Sequence, residues 1–301
     1  MSNFILIAIC ILSGMILRRS KLLPGDAHKG INAWIIYLAL PAVSFKYLPH
    51  IQWSDSLLFP VLGPVIIWFC AWIYIRWYAS ANKLDKPSEG GLKLTAGLAN
   101  TSFLGFPLVA AWFGEQYIGI AIICDQVTFM LLSTAGIIVA MNSSEHHELK
   151  PMILIKRLLT FPPFIGCVLA LTIPRFIDIS PIDPLINKMA DTVGPLALFS
   201  IGLQLQFAGW QKEIKHISFT LLFKLVLAPL IVLLVAMLMG LKGIIPQVTV
   251  FEAAMATLLS SGIICDQYGL RPQLANLVIG IGILISFVTT TGWYYIITYF
   301  L

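Results

Sequence analysis

The sequence predicts an all-α integral membrane protein with ten transmembrane helices arranged as two inverted repeats of five. Composition, the spacing of apolar runs and the distribution of positive charge support this fold class. Of the 301 residues, 58% are hydrophobic and only 11% are charged, whereas about 25% are charged in a typical soluble domain. A soluble protein this apolar could not cover its surface with polar groups. The composition therefore excludes a soluble enzyme, a nucleic-acid-binding protein and a disordered chain.

Ten apolar stretches are candidates for spans, because each crossing of a bilayer needs about 20 mostly apolar residues. The predicted spans are 2–17, 30–47, 57–78, 93–112, 117–141, 157–174, 190–208, 217–239, 248–267 and 274–300. Arg18, Arg19 and Lys21 follow the first stretch, whereas a secretory signal has its positive charges before the apolar core. We therefore expect a retained first span.

Positive charges orient these spans. If the N-terminus is outside, only four of the 19 Lys and Arg residues lie on the outer side, namely Lys46, Arg175, Lys188 and Lys242. Cytoplasmic loops carry an excess of Lys and Arg. The sequence therefore predicts both termini outside. We interpret the net charge of +5 as a consequence of how the spans are oriented in the membrane.

The spacing of the spans predicts an internal repeat, 1–147 and 148–301. A shift of 155 residues places most spans of the first half on those of the second, with Pro41 one residue from Pro195. Each half has five spans, an odd number, so the second half enters the membrane from the opposite side. Inverted repeats of this kind are common in secondary transporters.

The fourth span contains the strongest local signal, the polar run from Asn100 to Pro107. Asn, Thr, Ser and Gly in a row are costly in lipid unless they line a cavity. Gly105 permits unusual backbone angles, and Pro107 fits the first position of a second half-helix. We expect a broken helix here; the alternative is an ordinary proline kink.

The ninth span has a related run, in which Ser260 and Ser261 are expected to cap a second half-helix. The alternative is that small residues serve close helix packing. Two half-helix N-termini near the midplane would favour an anion, so the expected substrate carries a carboxylate. The candidate substrate-binding residues are Asn100, Thr101, Ser102, Pro107, Gln126, Thr257, Ser260 and Ser261.

Three motifs carry a family resemblance. The run 100–108, NTSFLGFPL, resembles the NTxFxGxPL signature of the auxin efflux carrier family. The runs 34–42, WIIYLALPA, and 195–202, PLALFSIG, resemble the second-span and seventh-span motifs of that family. The three matches occur in the family's order.

The resemblance implies a family that includes plant auxin carriers and bacterial malate or malonate permeases, with a fold similar to that of bile-acid sodium symporters. It implies a scaffold of helices 1, 2, 6 and 7, a mobile transport domain of helices 3–5 and 8–10, and crossing helices 4 and 9. Homodimers through the scaffold and a bacterial inner-membrane location fit it. One departure is that Ala256 and Ser261 stand where the family usually has proline in the ninth-span break.

Ionisable residues inside spans are functional candidates by default. Asp125, about eight residues into the fifth span, is the expected carrier of a coupling proton; a permanent bond to the broken helix is the structural alternative. Glu252 and Asp266 are weaker coupling candidates, placed near the two ends of the ninth span. Lys224 is expected to extend its ammonium group inward to the membrane surface.

The expected function is alternating-access transport of a small organic anion, secondary-active or facilitative. A sodium-coupled symporter of the bile-acid type and a membrane ligand sensor that transports nothing are the alternatives. We find no phosphate-binding loop, HExxH or GxSxG motif, and so expect neither an enzyme nor a cofactor. The run 145–148, EHHE, resembles a metal site in composition only, since adjacent histidines point to different helix faces, and we expect no bound metal.

Overall fold

The computed structural model describes residues 2–51, 54–144, 159–205 and 207–301, and these are helical apart from loops and one isolated β-bridge. The α-helices are α1 (Ser2–Arg19), α2 (Ala27–Trp34), α3 (Leu40–Tyr47), α4 (Leu58–Asn82), α5 (Lys86–Gly97), α6 (Phe106–Trp112), α7 (Ile118–Leu131), α8 (Ile137–Ser143), α9 (Pro162–Thr172), α10 (Asp183–Ala190), α11 (Val193–Gln204), α12 (Trp210–Leu222), α13 (Ala228–Leu238), α14 (Ile244–Ala253), α15 (Leu259–Gln267) and α16 (Pro272–Phe300).

Within the described residues, five helical stretches are long and apolar enough to cross a membrane: Ala27–His50, Asp55–Asn82, Glu115–Ser143, Trp210–Leu238 and Pro272–Phe300. Helices also lie at the other predicted spans, including the shorter apolar stretches Thr101–Trp112, Pro162–Arg175 and Ile244–Ala253. The all-helical, multi-pass membrane class is therefore confirmed. The count of ten and the inverted repeat stay predictions; the repeat boundary at 147/148, the 145–148 run and the start of the sixth span at 157 lie outside the described residues.

Several of these stretches change their hydrogen-bonding pattern along their length. π-Helical turns occupy Ile35–Ala39, Thr101–Gly105, Leu132–Gly136 and Phe223–Leu227. Such turns are rare and are often found at functional sites. Two of them carry candidate residues, Thr101 and Lys224.

The chain forms two compact units, and each contains segments that are distant in sequence. The first comprises Met1–Trp53, Ser102–Ile122 and Lys156–Leu205, and the second comprises Ser54–Thr101, Ile123–Ile155 and Gln206–Leu301. Within the first unit, α1 and α11 pack closely because glycines face each other, and a methyl group on Gly14 would fall against the carbonyl oxygen of Phe199. Within the second unit, a buried apolar cluster includes Leu94, Leu132 and Ile264.

The first turn of α5 follows a loop outside the predicted spans. Asp85 stands before the helix and accepts a hydrogen bond from the backbone N–H of Ser88 at 3.0 Å. This is the usual way to satisfy a free N–H group at a helix start. Hydrogen bonds from Ser88 hold the pKa of the Asp85 carboxyl below its ordinary value.

Candidate substrate site and charged cluster

The fourth and ninth predicted spans are each interrupted, and the two interruptions pair with each other inside the second unit. Residues 98–100 separate α5 from the π-helical turn, and residues 254–258 separate α14 from α15. Ala99 and Thr257 form an antiparallel bridge. A strand-like contact of this kind is unusual in a helical protein, and it follows directly from the two breaks.

Backbone hydrogen bonds hold this pairing together. The N–H of Asn100 donates to the carbonyl oxygen of Ala256 at 2.8 Å, and the N–H of Leu258 donates to the carbonyl oxygen of Leu98 at 3.0 Å. Free backbone groups inside a membrane must find partners within the protein. Each break therefore supplies the partners that the other break needs.

The break in the fourth span lies upstream of the place that Gly105 and Pro107 indicate. Its non-helical residues end at Asn100, and residues 101–105 continue as the π-helical turn. Pro107 is within the first two positions of α6, where its missing N–H group breaks no helix bond. Pro107 thus begins a helix as predicted, but the bridge at Ala99 fixes where the interruption falls.

The prediction that Ser260 and Ser261 cap the second half of the ninth span is wrong. No side chain caps α15. Instead, the Ser261 hydroxyl donates to the carbonyl oxygen of Leu94 at 3.4 Å, and the Thr257 hydroxyl donates to that of Thr95 at 2.7 Å. These two hydroxyls bind carbonyl groups near the end of α5. Ser260, which precedes Ser261, is half-buried.

Asn100 is fully buried at the end of the first break, with no exposed side-chain surface. Neither its Nδ2 nor its Oδ1 atom has a hydrogen-bond partner within the described part of the chain. Burying an amide without partners costs about 1–3 kcal/mol. A side chain held in this way has both a donor and an acceptor available for a ligand.

Asp125 and Gln126 lie on α7, and Asp125 contacts the residue that follows this break. The Thr101 hydroxyl donates to Oδ1 of Asp125 at 2.6 Å, and both residues are buried. Gln126 is also buried, and its Oε1 atom has no hydrogen-bond partner among the described residues. The structure thus connects Asp125 to the broken segment through a side chain, a geometry that suits both the coupling role and the structural role.

Glu252 lies deeper in the protein than its expected place near the outer end of a span. It is 1% exposed, and neither carboxylate oxygen has a hydrogen-bond partner in the residues that the structure describes. It lines a cavity of about 10 Å³, roughly the room that one water molecule needs. The polar lining of that cavity is Thr101, Cys124, Thr128, Thr249 and Glu252.

Lys224 does not extend to the membrane surface, and this expectation is corrected. Its side chain is fully buried, and Nζ donates to the carbonyl oxygen of Ala253 at 3.3 Å. Ala253 directly follows Glu252 in α14, so this hydrogen bond places Lys224 near Glu252. Asp266 is exposed near the end of α15, so the structure does not bring it to the buried residues Asp125, Glu252 and Lys224.

Ser102 and Pro107, the remaining predicted site residues, belong to the first unit. Ser102 is buried, and Pro107 lines a separate cavity of about 180 Å³ together with Tyr47, Glu115 and Asp191. Near it, Lys46 Nζ lies 2.6 Å from Oδ1 of Asp191 and 3.8 Å from Oε2 of Glu115. The structure therefore divides the predicted site residues between the two units.

Sequence reasoning missed Thr128, Thr249 and Cys124, which line the small cavity. Helical spacing offered a signal for two of them. Thr128 is three residues after Asp125, and Thr249 is three residues before Glu252. Residues three apart share a helix face, so each carboxylate is accompanied by a hydroxyl on its own face.

Comparison with known proteins places this geometry in a family. The model of a family described as "Membrane transport protein" matches residues 1–294. The chain belongs to this membrane transport protein family. The resemblance drawn from the three motifs is thereby confirmed at the level of the family.

Two of three named relatives cover nearly the whole chain. An "Uncharacterized transporter" of Methanothermobacter thermautotrophicus is 23% identical over 291 residues, 95% of each chain. A "Putative malonate transporter" of Rhizobium meliloti is 28% identical over 91% of this chain and 88% of its own. A mouse "Lysosomal cholesterol signaling protein" is 23% identical over 74% of this chain but only 27% of its own.

Proposed function

We propose that the protein transports a small organic anion bearing a carboxylate, by alternating access, as a secondary-active or facilitative carrier. The observation that carries the proposal is the Asn100 side chain, which is fully buried with both polar atoms unpaired among the described residues. A carboxylate oxygen accepts from Nδ2, and hydrogen bonds to charged groups contribute more than neutral ones. The binding site is therefore centred on the paired breaks.

Neighbouring groups support an anion there. Helical segments begin at Thr101 and Leu259, and the first N–H groups of a helix and its dipole favour negative charge. Gln126, which follows Asp125 on α7, is a second buried side-chain amide with an unpaired oxygen among the described residues. Thr257, Ser260 and Ser261 are the matching polar set of the ninth span, and Ser102 and Pro107 continue the first segment beyond Thr101.

The division into two units supports a moving-domain mechanism. Spans 1, 2 and 6 and nearly all of span 7 lie in the first unit, and spans 3, 8, 9 and 10 lie in the second, whereas spans 4 and 5 are divided between the two units. We take these units as the scaffold and the transport domain, with helices 4 and 9 crossing at the breaks of two inverted repeats. A bacterial inner-membrane location and a scaffold-mediated homodimer belong to the same proposal.

The name of the Rhizobium meliloti relative supports malonate as the first substrate to test. Purified protein is heated with malonate, malate or acetate, and with malonamide as an uncharged control of similar size. Binding at a hundred times Kd stabilises the folded state by about 2.7 kcal/mol. We expect a carboxylate to raise Tm and malonamide to leave it unchanged. Equal stabilisation by malonamide, or none by any carboxylate, contradicts the proposed anion site.

A second candidate function is ligand sensing without transport. The mouse relative, named a cholesterol signaling protein, supports it, although that protein is much longer than this chain. A sterol that raises Tm when every carboxylate fails would favour the sensor. Sodium-coupled symport is the other alternative.

A further inference from the structure

Lys224 is a fully buried cation within the membrane-spanning stretch Trp210–Leu238. It lies in the π-helical turn Phe223–Leu227. An ionisable group inside a membrane protein is costly and is a functional candidate by default. The turn is fixed from a neighbouring helix, because the indole N–H of Trp293 on α16 donates to the carbonyl oxygen of Leu225 at 2.8 Å. The ammonium group is therefore held at a defined place.

This ammonium group is bound at the edge of the ninth-span break. Nζ of Lys224 donates to the carbonyl oxygen of Ala253 at 3.3 Å. Ala253 is the last residue of α14, and the break of residues 254–258 follows it directly. The last carbonyl groups of a helix have no partner within the helix, and the helix dipole places partial negative charge there. This end of α14 therefore stabilises a cation.

The lysine has N–H groups left for a ligand. An ammonium group carries three donors, and within the described residues one of them is used, by the carbonyl oxygen of Ala253. No salt bridge in that part of the chain includes Lys224, so Glu252, which precedes Ala253, forms none with it. A positive charge with unused donors can bind a carboxylate strongly.

Lys224 and Asn100 are attached to the same short segment. The backbone N–H of Asn100 donates to the carbonyl oxygen of Ala256 at 2.8 Å, and Ala256 is three residues after Ala253. Three residues of chain span at most about 11 Å. Ala253 also lines the small cavity together with the two residues that flank Asn100 in sequence. The buried cation and the unpaired amide therefore belong to one junction of the two breaks.

We propose that Lys224 is a specificity-determining residue of the anion site, where its ammonium group binds one carboxylate of the substrate while the Asn100 amide binds another. This inference rests on the proposed function and narrows its substrate to a small molecule with two carboxylates. The cavity of about 10 Å³ has room for about one water molecule, so the junction must open to admit such a substrate. Alternating access includes an opening of this kind.

The test compares malonate with malonamate, the monoamide in which one of the two carboxylates is replaced by an uncharged amide. Affinities are measured by calorimetry on the purified protein. Wild type should bind malonate about ten- to a hundredfold more tightly, as expected for a hydrogen bond between two charged groups. Lys224→Met should bind the two compounds about equally. Lys212→Met, on the exposed side of α12, is the surface control and should keep the preference for malonate.

A second pair of variants separates this role from a structural one. A structural lysine would serve as the counterion of Glu252, and Lys224→Met could then fail to fold because it leaves a buried carboxylate alone. The double variant Lys224→Met/Glu252→Gln removes both charges and covers that case. It should bind malonate and malonamate about equally, whereas Glu252→Gln, which keeps the lysine, should still prefer malonate.

Three results would overturn the role of Lys224. They are equal binding of the two compounds by wild type, a wild-type preference for malonate in the double variant, and loss of the preference in Glu252→Gln alone. In each of them a carboxylate still binds, so the proposed anion site stands. Wild-type protein that binds no carboxylate would contradict the proposed function itself, and this inference with it.

Discussion

Asn100 is an uncharged, fully buried residue of the candidate site, and both polar atoms of its amide lack partners among the described residues. Three hydroxyl groups of the two interrupted segments already have partners. Thr101 donates to Asp125, and Thr257 and Ser261 bind carbonyl groups of α5. At the scale of single residues, Asn100 is therefore the neutral side chain that offers a substrate both an unpaired donor and an unpaired acceptor.

Asn100→Ala should weaken carboxylate binding. Loss of a buried hydrogen bond to a charged group costs about 1.5–3 kcal/mol, roughly ten- to a hundredfold in affinity. Titration of the purified variant by thermal shift or calorimetry measures this. The matched control is Asn276→Ala, because Asn276 is exposed on α16. Affinity within a factor of two of wild type in a well-folded Asn100→Ala protein would remove Asn100 from the site.

Ser286 is not a suitable lipid-facing control for this comparison. It is fully buried, and its hydroxyl donates to the carbonyl oxygen of Ile283 at 2.7 Å.

Asp125→Asn should abolish the dependence of transport on a pH gradient and leave some substrate exchange. An amide cannot take up or release a proton, whereas it still accepts the hydrogen bond from Thr101. Exchange and gradient-driven uptake are measured in the same proteoliposomes. Thr101→Val, which removes that hydrogen bond but keeps the carboxyl, is the comparison. An unchanged pH response in Asp125→Asn would favour a purely structural Asp125.

The chemistry of these residues could be predicted from the sequence, but their partners could not. A polar run inside an apolar span marks Asn100 and Thr101, and an acid within a span marks Asp125. The depth of Glu252 and Lys224 depends on how far α14 and the π-helical turn Phe223–Leu227 are covered by other helices. Such coverage is a property of packing between distant segments, which the sequence pattern alone does not contain.

At the scale of elements, the paired breaks illustrate the same limit. Gly105 and Pro107 predict where a helix can start, and α6 does start there. The interruption itself lies at residues 98–100 because the backbone pairs with residues 256–258. No local residue preference encodes that pairing, since it joins segments more than 150 residues apart.

The contact between α1 and α11 makes an element-scale prediction. A Cβ atom on Gly202 would fall against the carbonyl oxygen of Ile11, and backbone atoms in two packed helices cannot easily move apart. Gly202→Ala should therefore lower Tm by several degrees, about 1–3 kcal/mol. Thermal unfolding of the purified protein measures this effect.

Gly194→Ala on the same helix is the control, because nothing lies within 4 Å of the added carbon. It should be neutral or slightly stabilising, by at most about 1 kcal/mol. Equal Tm values for the two variants would show that α1 and α11 do not pack as closely as described.

At the scale of the whole molecule, the predicted orientation can be tested by labelling. In a protein without its native cysteines, Lys242→Cys should react with an impermeant thiol reagent from outside, and Lys86→Cys should not. Both positions are exposed on the protein, so protection of Lys86→Cys would arise from the membrane. Ser88 would be a poor choice because it is buried. Labelling of Lys86→Cys in intact cells would contradict termini placed outside.

The membrane class and the transporter family could be read from composition and three motifs, because both depend on local sequence. The two units could not be read from composition or span spacing, since each joins segments from both halves of the chain. The fourth span is itself divided, because its residues up to Thr101 belong to the second unit and its residues from Ser102 belong to the first.

The central claim, that the chain carries a carboxylate through a site at Asn100, is tested most directly by uptake. Radiolabelled malonate is offered to proteoliposomes that contain wild type, Asn100→Ala or Asn276→Ala, with empty liposomes as the background. The account predicts saturable uptake by wild type and Asn276→Ala, and at least about tenfold slower uptake by Asn100→Ala at low substrate. Carboxylate binding without uptake in wild type, or equal uptake by Asn100→Ala, would contradict it.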